Sequence, residues 1–250
     1  MRRHSGFSLT ETLLAIGTLA IGMLFIGGTF LAGIHFTTIA TERTIAAVAA
    51  DEAFAKVRLY GLDVADPNLG SGTLVPFGSL APITADEMAY PSTGLGAGEK
   101  QYHWSALCRV ADPNSQLVQV TVFVSRRIGA GRYWRRNIGD WPDLVQVSYP
   151  RPVLAEVAHD STRPAELLIA DAVPGDTVAE MNFVNDGYKI VDSQTGLFYR
   201  VLERYTDEPN RIRLDVPWQG SATSRVWVVP APVNGGRNPC IAVYQRVIRL

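Results

Sequence analysis

Gly6-Phe7-Ser8-Leu9-Thr10-Glu11 stands directly before a long apolar run, and the two together determine how the N-terminal part of the chain folds. From Thr12 to Ala40 the sequence contains no Asp, Glu, Lys or Arg. A helix of about 29 residues is about 44 Å long, whereas the hydrocarbon core of a bilayer is about 30 Å thick. The segment is therefore long enough and apolar enough to span a membrane, with one carboxylate near its start.

The charges that flank the apolar run predict its orientation. Arg2 and Arg3 precede it, while Glu42 and Arg43 follow it and cancel. The positive-inside rule therefore predicts a cytoplasmic N-terminus and an extracytoplasmic C-terminal part.

Two ordinary kinds of membrane segment are the alternatives. A secretory signal peptide would have an apolar core of about 7–15 residues that ends at an Ala-x-Ala site. Ala47-Val48-Ala49 fits that site but lies too deep in the chain. A plain single-pass anchor explains the length of the run, but it explains neither Glu11 nor the short basic leader.

The N-terminal motif resembles a known family. Gly6-Phe7-Ser8-Leu9-Thr10-Glu11 resembles the class III leader junction of type IV pilins and type II secretion pseudopilins, and Leu19-Ala20-Ile21-Gly22-Met23-Leu24 is similar to minor pilins of the pilus-modification class. The resemblance covers about the first 35 residues. It implies that prepilin peptidase cleaves between Gly6 and Phe7 and methylates Phe7. Glu11 then becomes the fifth residue of the mature chain.

The resemblance also implies partners and a location. The partners are other pilin or pseudopilin subunits, the prepilin peptidase and an inner-membrane assembly platform. The protein would be a single-pass inner-membrane protein that later joins a periplasmic or extracellular filament. Pili, secretion pseudopili and competence pili share this N-terminus, so the motif does not distinguish among them.

The physical chemistry of Glu11 favours this interpretation. An unpaired carboxylate in lipid or in a filament core costs several kcal/mol. The free amine at Phe7 of a neighbouring subunit offers the opposite charge, and the pair would set the axial register between subunits. The alternative is an interfacial Glu in the headgroup layer. Where many major pilins carry a proline in the apolar helix, this chain has Gly27-Gly28, which indicates either local melting or close helix packing.

The helix is predicted to continue beyond the membrane and to end near Gly61. Ile45, Ala49, Ala53 and Val57 recur at helical spacing, so this part is expected to pack on a globular domain. Gly61 to Gly98 is rich in Gly, Pro and Ser and predicts a long loop.

Alternation of apolar and polar residues predicts antiparallel strands after this loop. Tyr102–Val110 and Val118–Val124 form a hairpin, and 144–149 is a candidate third strand. A long helix packed on such a sheet is the fold that the pilin resemblance implies.

The remaining sequence is predicted to be β throughout. Pro150, Pro152 and Pro164 bracket a connector, and short strands follow, which predicts a small barrel or sandwich. The fold class is therefore α+β, a long helix on an antiparallel sheet with an added all-β domain. The expected parts are a leader (1–6), the long helix (7–61, with a transmembrane half at 7–40), the loop and sheet (62–150), and the β domain (165–250). Candidate strands of that domain are 177–184, 188–191, 197–204, 211–216, 224–229 and 241–249.

Composition predicts no catalytic chemistry. The formal charge is −1, from 23 basic and 24 acidic residues, and the histidines and cysteines are not at metal-binding spacing. No nucleotide-binding or hydrolase motif is present. We therefore expect no enzyme activity, no metal and no cofactor. Cys108 and Cys240 either form a disulfide, which an extracytoplasmic location permits, or remain buried thiols.

One basic and aromatic cluster suggests a second function. Arginines interleaved with aromatic rings suit phosphate contact and base stacking, as in a DNA-uptake pilin. An adhesive pilin could instead use this loop or the C-terminal domain. The alternative is a solvated hairpin whose arginines cover aromatic surface or pair with neighbouring subunits. The candidate residues are Arg126, Arg127, Arg132, Tyr133, Trp134, Arg135 and Arg136, with Trp141 nearby.

Overall fold

The computed structural model describes residues 8–63, 66–69, 72–92, 100–112, 114, 116–128, 131–136 and 138–249. The chain divides into two compact units, residues 1–45 and residues 46–250. Helix α1 is Leu9–Tyr60, and the rest of the described chain is mainly β. A long N-terminal apolar helix followed by antiparallel β-structure agrees with the α+β prediction at this level.

The end of helix α1 follows the prediction. Gly61 has a φ of +71°, which favours glycine, and its N–H donates to the carbonyl of Val57 at 3.2 Å. Within residues 46–250, the last turns bury Ala46, Ala49, Ala50, Ala53, Phe54 and Val57. The four alanines allow the helix to lie close to the sheet.

The part of helix α1 within residues 46–60 packs on a five-stranded antiparallel sheet. The strands are β1 (Val75–Pro76), β2 (Ala89–Tyr90), β3 (Tyr102–Asp112), β4 (Leu117–Arg126) and β13 (Cys240–Arg249); the order is β1-β3-β4-β13, and β2 also pairs with β3. The predicted hairpin is confirmed as β3 and β4, with Trp104 opposite Val124 and Cys108 opposite Val120. The predicted loop after α1 contains β1, β2 and the short helix α2 (Phe77–Leu80).

The prediction of a third strand at 144–149 was wrong about its partner. Strand β6 (Val145–Val147) pairs with β5 (Tyr133–Arg135) in a separate two-stranded sheet. Strand β13 takes the place beside β4 instead, with Val243 opposite Phe123 and Arg249 opposite Leu117. The segment predicted as the last strand of the β domain therefore completes the sheet under the helix.

Six strands close into an antiparallel barrel between β4 and β13. They are β7 (Val153–His159), β8 (Glu166–Ile169), β9 (Lys189–Asp192), β10 (Phe198–Arg204), β11 (Arg211–Leu214) and β12 (Thr223–Val228), in the order β10-β11-β8-β7-β12-β9. The barrel begins before the predicted limit of 165, since β7 occupies the predicted connector. The predicted strand at 177–184 is instead irregular backbone with a 3-10 helix at Glu180–Phe183.

A shared apolar layer joins the sheet to the barrel. Leu107 and Phe123 point from the second face of the sheet and meet Leu154 and Trp227 of the barrel, all at most 1% exposed. This explains why both faces of β3 and β4 are buried, although the sequence predicted one polar face.

Polar side chains add a second connection between the sheet and the barrel. Gln245 Nε2 and Gln119 Nε2 donate to the carbonyl of Gly196 at 2.6 and 3.3 Å, and Arg109 donates to the carbonyl of Gln194. Gly196 has a φ of +71°, and a Cβ there would lie 2.8 Å from the Gln119 amide. Glycine is therefore required at this contact.

Candidate functional site

The candidate site from the sequence is the start of helix α1. Ser8 precedes the helix, and its Oγ accepts a hydrogen bond from the N–H of Glu11 at 3.2 Å. The carboxylate of Glu11 reaches back to the N–H of Ser8, with Oε2 at 3.4 Å. This reciprocal arrangement is a capping box, which satisfies two backbone donors that the first turn leaves free. Glu11 therefore has a local structural role that the sequence reasoning missed, although the Ser-x-x-Glu spacing marks it.

The helix that follows Glu11 exposes apolar side chains all around its axis. Every Leu, Ile, Met and Phe side chain from Leu9 to Phe36 is 52–79% exposed in the structure. A helix that is apolar all round is typical of a membrane span. By length and composition, α1 qualifies as a helix able to cross a membrane, with a mean hydropathy of 2.0 in its most apolar window.

The threonines of this helix satisfy their own hydroxyl groups. Every Thr from Thr12 to Thr44 donates its Oγ1 hydrogen to a carbonyl three or four residues earlier, at 2.7–3.3 Å. Such bonds need no water, so these hydroxyls can enter an apolar medium without an unpaired donor. The helix also continues through Gly27 and Gly28 without a break.

Gly6 and Phe7, the predicted cleavage pair, lie outside the described residues. The prediction of processing between them stays a prediction. Glu11 is exposed and is placed at the start of the apolar helix, as the sequence indicated.

The arginine and aromatic cluster does not form a solvated hairpin tip. Residues 131–136 belong to the connection from β4 to the barrel, which we call the crossing. Strand β5 in this segment pairs with β6. Arg132 is exposed, but Tyr133 and Arg136 are 0% and 1% exposed. The Tyr133 hydroxyl accepts a hydrogen bond from the N–H of Ile128 at 2.7 Å. These two residues cannot contact a nucleic acid in this fold, because they belong to the packing of this crossing.

The other members of the cluster lie at the same crossing with partial exposure. The backbone N–H groups of Arg126 and Arg127 donate to the carbonyls of Pro239 and Gln101 at 2.8 and 2.6 Å. Trp134 packs against the barrel core, and Arg135 is half-buried beside it on β5. The structure thus spreads the seven candidate residues along the crossing, and they do not form one continuous basic surface.

Arg136 forms a buried ion pair with a barrel residue that the sequence did not indicate. Its Nη2 lies 2.7 Å from Oε1 of Glu180, which is fully buried. Nη1 donates to the carbonyl of Leu154 at 3.3 Å, and the guanidinium lies over the ring of Trp141 at 4.7 Å. Burial raises the pKa of Glu180, and so does a hydrogen bond between its protonated carboxyl and Asp171, while Arg136 opposes that shift.

The two cysteines are free thiols, so the disulfide alternative is not realised in this structure. Cys108 is level with Val120 on β4, whereas Cys240 is level with Ser125. Five residues along a strand correspond to about 16 Å, and a strand lies between them, which no disulfide can bridge. Burial raises the pKa of Cys108 well above its usual range and that of Cys240 to about 12, so both thiols are unreactive.

Within the described part of the chain, no group of three or more His, Cys, Asp or Glu side chains could hold a metal ion. No protein-family model matches this sequence, and no match was found among curated proteins or among solved structures.

Proposed function

We propose that this protein is a minor pilin or pseudopilin, a structural subunit that assembles through its N-terminal helix into a type IV pilus or a type II secretion filament. The observation that carries the proposal is Glu11, a single carboxylate at the start of a helix that is apolar all round. The exposed surface from Leu9 to Phe36 is incompatible with water and must be covered by lipid or by other helices.

The same helix suits both environments that such a subunit occupies. In the inner membrane, residues 7–40 would span the bilayer with the N-terminus in the cytoplasm. In a filament, the same surface would pack against neighbouring subunits, and the threonine hydroxyls are already paired within the helix. The sheet under the C-terminal turns of α1 agrees with the helix-on-sheet plan of pilins. The subunit has a structural role and no catalytic turnover.

Glu11 has two roles in this proposal, and they can be separated by mutation. Ser8→Ala removes the hydroxyl that caps the helix but keeps the carboxylate. Glu11→Gln keeps an oxygen that accepts from the N–H of Ser8 but removes the charge. If Glu11 pairs with the amine of Phe7 in a neighbouring subunit, Glu11→Gln abolishes incorporation into filaments while Ser8→Ala reduces it only slightly. Equal effects of the two variants on incorporation would mean that Glu11 acts only as a helix-capping residue.

The first experiment is intact mass and N-terminal sequencing of the protein from its native membrane. The proposal expects a chain that starts at N-methylated Phe7, and it expects Gly6→Ala to block this processing and leave the precursor in the membrane. A start at Met1 would indicate an ordinary single-pass anchor for an extracytoplasmic β-protein. A start near Ala50 would indicate a secreted protein, and either result would remove the filament proposal.

A further inference from the structure

A cleft lies where the chain crosses between the sheet and the barrel. Its volume is about 380 Å³, within the range of small-molecule sites. Strand β5 forms one wall, the 3-10 helix at Glu180–Phe183 forms another, and the returning segment at 231–236 closes the third side. The N–H of Val233 donates to the carbonyl of Arg132 at 2.8 Å and holds the two crossings together.

Arg204 lines this cleft with a guanidinium that neutral oxygens hold in place. Nε donates to the carbonyl of Pro209 at 2.6 Å, Nη1 donates to Oδ1 of Asn185 at 3.0 Å, and Nη2 donates to Oδ1 of Asn182 at 3.2 Å. A guanidinium has five N–H donors, so one on each Nη remains for another acceptor. Two donors on neighbouring nitrogens suit the two oxygens of a carboxylate.

The charge of Arg204 has no carboxylate partner among the described residues. Asp186 is near, but its Oδ1 accepts from the backbone N–H of Arg204 at 2.7 Å. Arg204 is also the one charged side chain among the described residues that line the cleft. Arg211, on the neighbouring strand β11, is paired differently, since it contacts both Glu166 and Glu208. Among the described residues, the guanidinium of Arg204 therefore faces the cleft without an ion-pair partner.

Two further groups define the shape of a ligand. Asn182 accepts from Arg204 through Oδ1, which orients its Nδ2 donor away from the guanidinium. Trp134 adds an indole ring that is half-buried against the barrel core. A flat apolar ring beside a few fixed donors suits a sugar ring, because the C–H face of a pyranose packs on the indole while its oxygens accept hydrogen bonds.

From this geometry we infer that the cleft binds a carboxylated sugar, either free or as a unit of an acidic polysaccharide. The carboxylate pairs with Arg204, a hydroxyl or ring oxygen accepts from Asn182, and the sugar ring lies on Trp134. This activity is independent of filament assembly, so it does not require that the proposed function is correct.

The test is a titration of full-length protein in detergent micelles with D-glucuronate, measured by saturation-transfer NMR and calorimetry. D-glucose and acetate are the matched ligands, since each lacks one half of the recognition. Glucuronate is expected to bind at least about tenfold more tightly than either, which corresponds to one charge-assisted contact. A glucuronate-containing tetrasaccharide distinguishes a free sugar ligand from a unit of an acidic polysaccharide. A site for a polysaccharide binds the tetrasaccharide more tightly than it binds the monosaccharide.

Asn182→Asp is the sharpest variant. The new carboxylate still accepts from Arg204, so the fold is kept, but it neutralises the guanidinium and replaces a donor with an acceptor. We expect it to weaken glucuronate binding about tenfold or more without lowering the melting temperature. Asn114→Asp, the same change on the exposed turn of the β3–β4 hairpin, is the control and should have no effect.

A second variant keeps the inference testable if Asn182→Asp alters the fold. Trp134→Leu retains an apolar group against the barrel core but removes the ring, so glucuronate should then bind no better than acetate. Absence of glucuronate binding by the unmodified protein would overturn the inference. Equal binding of acetate and glucuronate, or unchanged binding by both cleft variants, would overturn it as well.

Discussion

Replacing Arg136 with Met is expected to lower the free energy of unfolding of residues 46–250 by about 3–5 kcal/mol, because the buried Glu180 loses its cation and must stay charged without an ion-pair partner or take up a proton. The two side chains are 1% and 0% exposed. The substitution also removes a hydrogen bond to the carbonyl of Leu154, worth about 1 kcal/mol, and the contact with Trp141, worth up to about 2 kcal/mol when desolvated. A loss of this size is a large part of the stability of a typical domain.

The double variant Arg136→Met with Glu180→Leu separates the ion pair from the packing. Since both charges are then absent, we expect most of the stability to return, to within about 1–2 kcal/mol of the unmodified protein. Arg246→Met is the matched control, because Arg246 pairs with Asp51 at 2.6 Å with side chains 53% and 61% exposed. An exposed pair contributes little, so this change should cost about 1 kcal/mol or less.

The assay is urea denaturation of full-length protein in micelles, followed by tryptophan fluorescence, with Trp141 in contact with Arg136. The reasoning is refuted if Arg136→Met costs less than about 1 kcal/mol. It is also refuted if the double variant is less stable than both single variants. Weaker DNA binding by Arg136→Met at unchanged stability would instead revive the nucleic-acid alternative.

Two further predictions concern pH and packing. His103 is buried and stacks on Tyr149 at 5.4 Å; burial, reinforced by Arg127 and Lys100, lowers its pKa from 6.5 to about 4. As the pH falls, His103 is protonated in the unfolded state before it is protonated in the folded state, so the free energy of unfolding decreases between pH 6.5 and pH 4. We expect His103→Phe to make this decrease about 3 kcal/mol smaller, as measured by denaturation curves at the two pH values. Gly220→Ala would place a Cβ 2.5 Å from the ring of Trp218, so it should lower the free energy of unfolding by about 1–3 kcal/mol. Gly139→Ala is the control, because the space around Gly139 is open, and it should lower the free energy of unfolding by less than about 1 kcal/mol in the same assay.

Local patterns predicted the parts of the fold that local forces determine. The end of α1 at Gly61 follows from the left-handed conformation that glycine adopts easily. The hairpin of β3 and β4 follows from apolar residues at every second position, from Trp104 to Val110 and from Val118 to Val124. The same alternation is seen in the burial of β8, β10 and β11, whereas β7, β9 and β12 bury consecutive side chains.

Long-range pairing explains most of the errors. Strand β13 has the alternating pattern of any strand, and nothing in its sequence says that it pairs with β4 more than 100 residues earlier. Strand β7 was missed because the prolines on either side indicated a loop, although Val153, Ala155 and Val157 alternate and are buried. The segment 177–184 failed for the opposite reason, since its apolar residues pack from irregular backbone.

The same difference between local patterns and long-range pairing explains which parts of the candidate sites were predicted. Glu11 was found because its signal is a short motif that is contiguous in sequence. The groups around Arg136 and Arg204 were not found, because the 3-10 helix at Glu180–Phe183 is distant in sequence from both arginines and only the folded barrel brings them together. The predicted role of the arginine cluster also changed, because burial in the folded structure determines which of its arginines are accessible.

The return of β13 to β4 has a consequence for biosynthesis. The ribosome delivers the whole barrel before it delivers the strand that completes the sheet under α1. Until then β4 has a ten-residue edge with unpaired backbone groups, the kind of surface that pairs with other chains. The barrel can close from its own six strands during this interval, whereas the sheet that packs against helix α1 remains incomplete without β13. Completion of the sheet that packs against helix α1 is thus the last step.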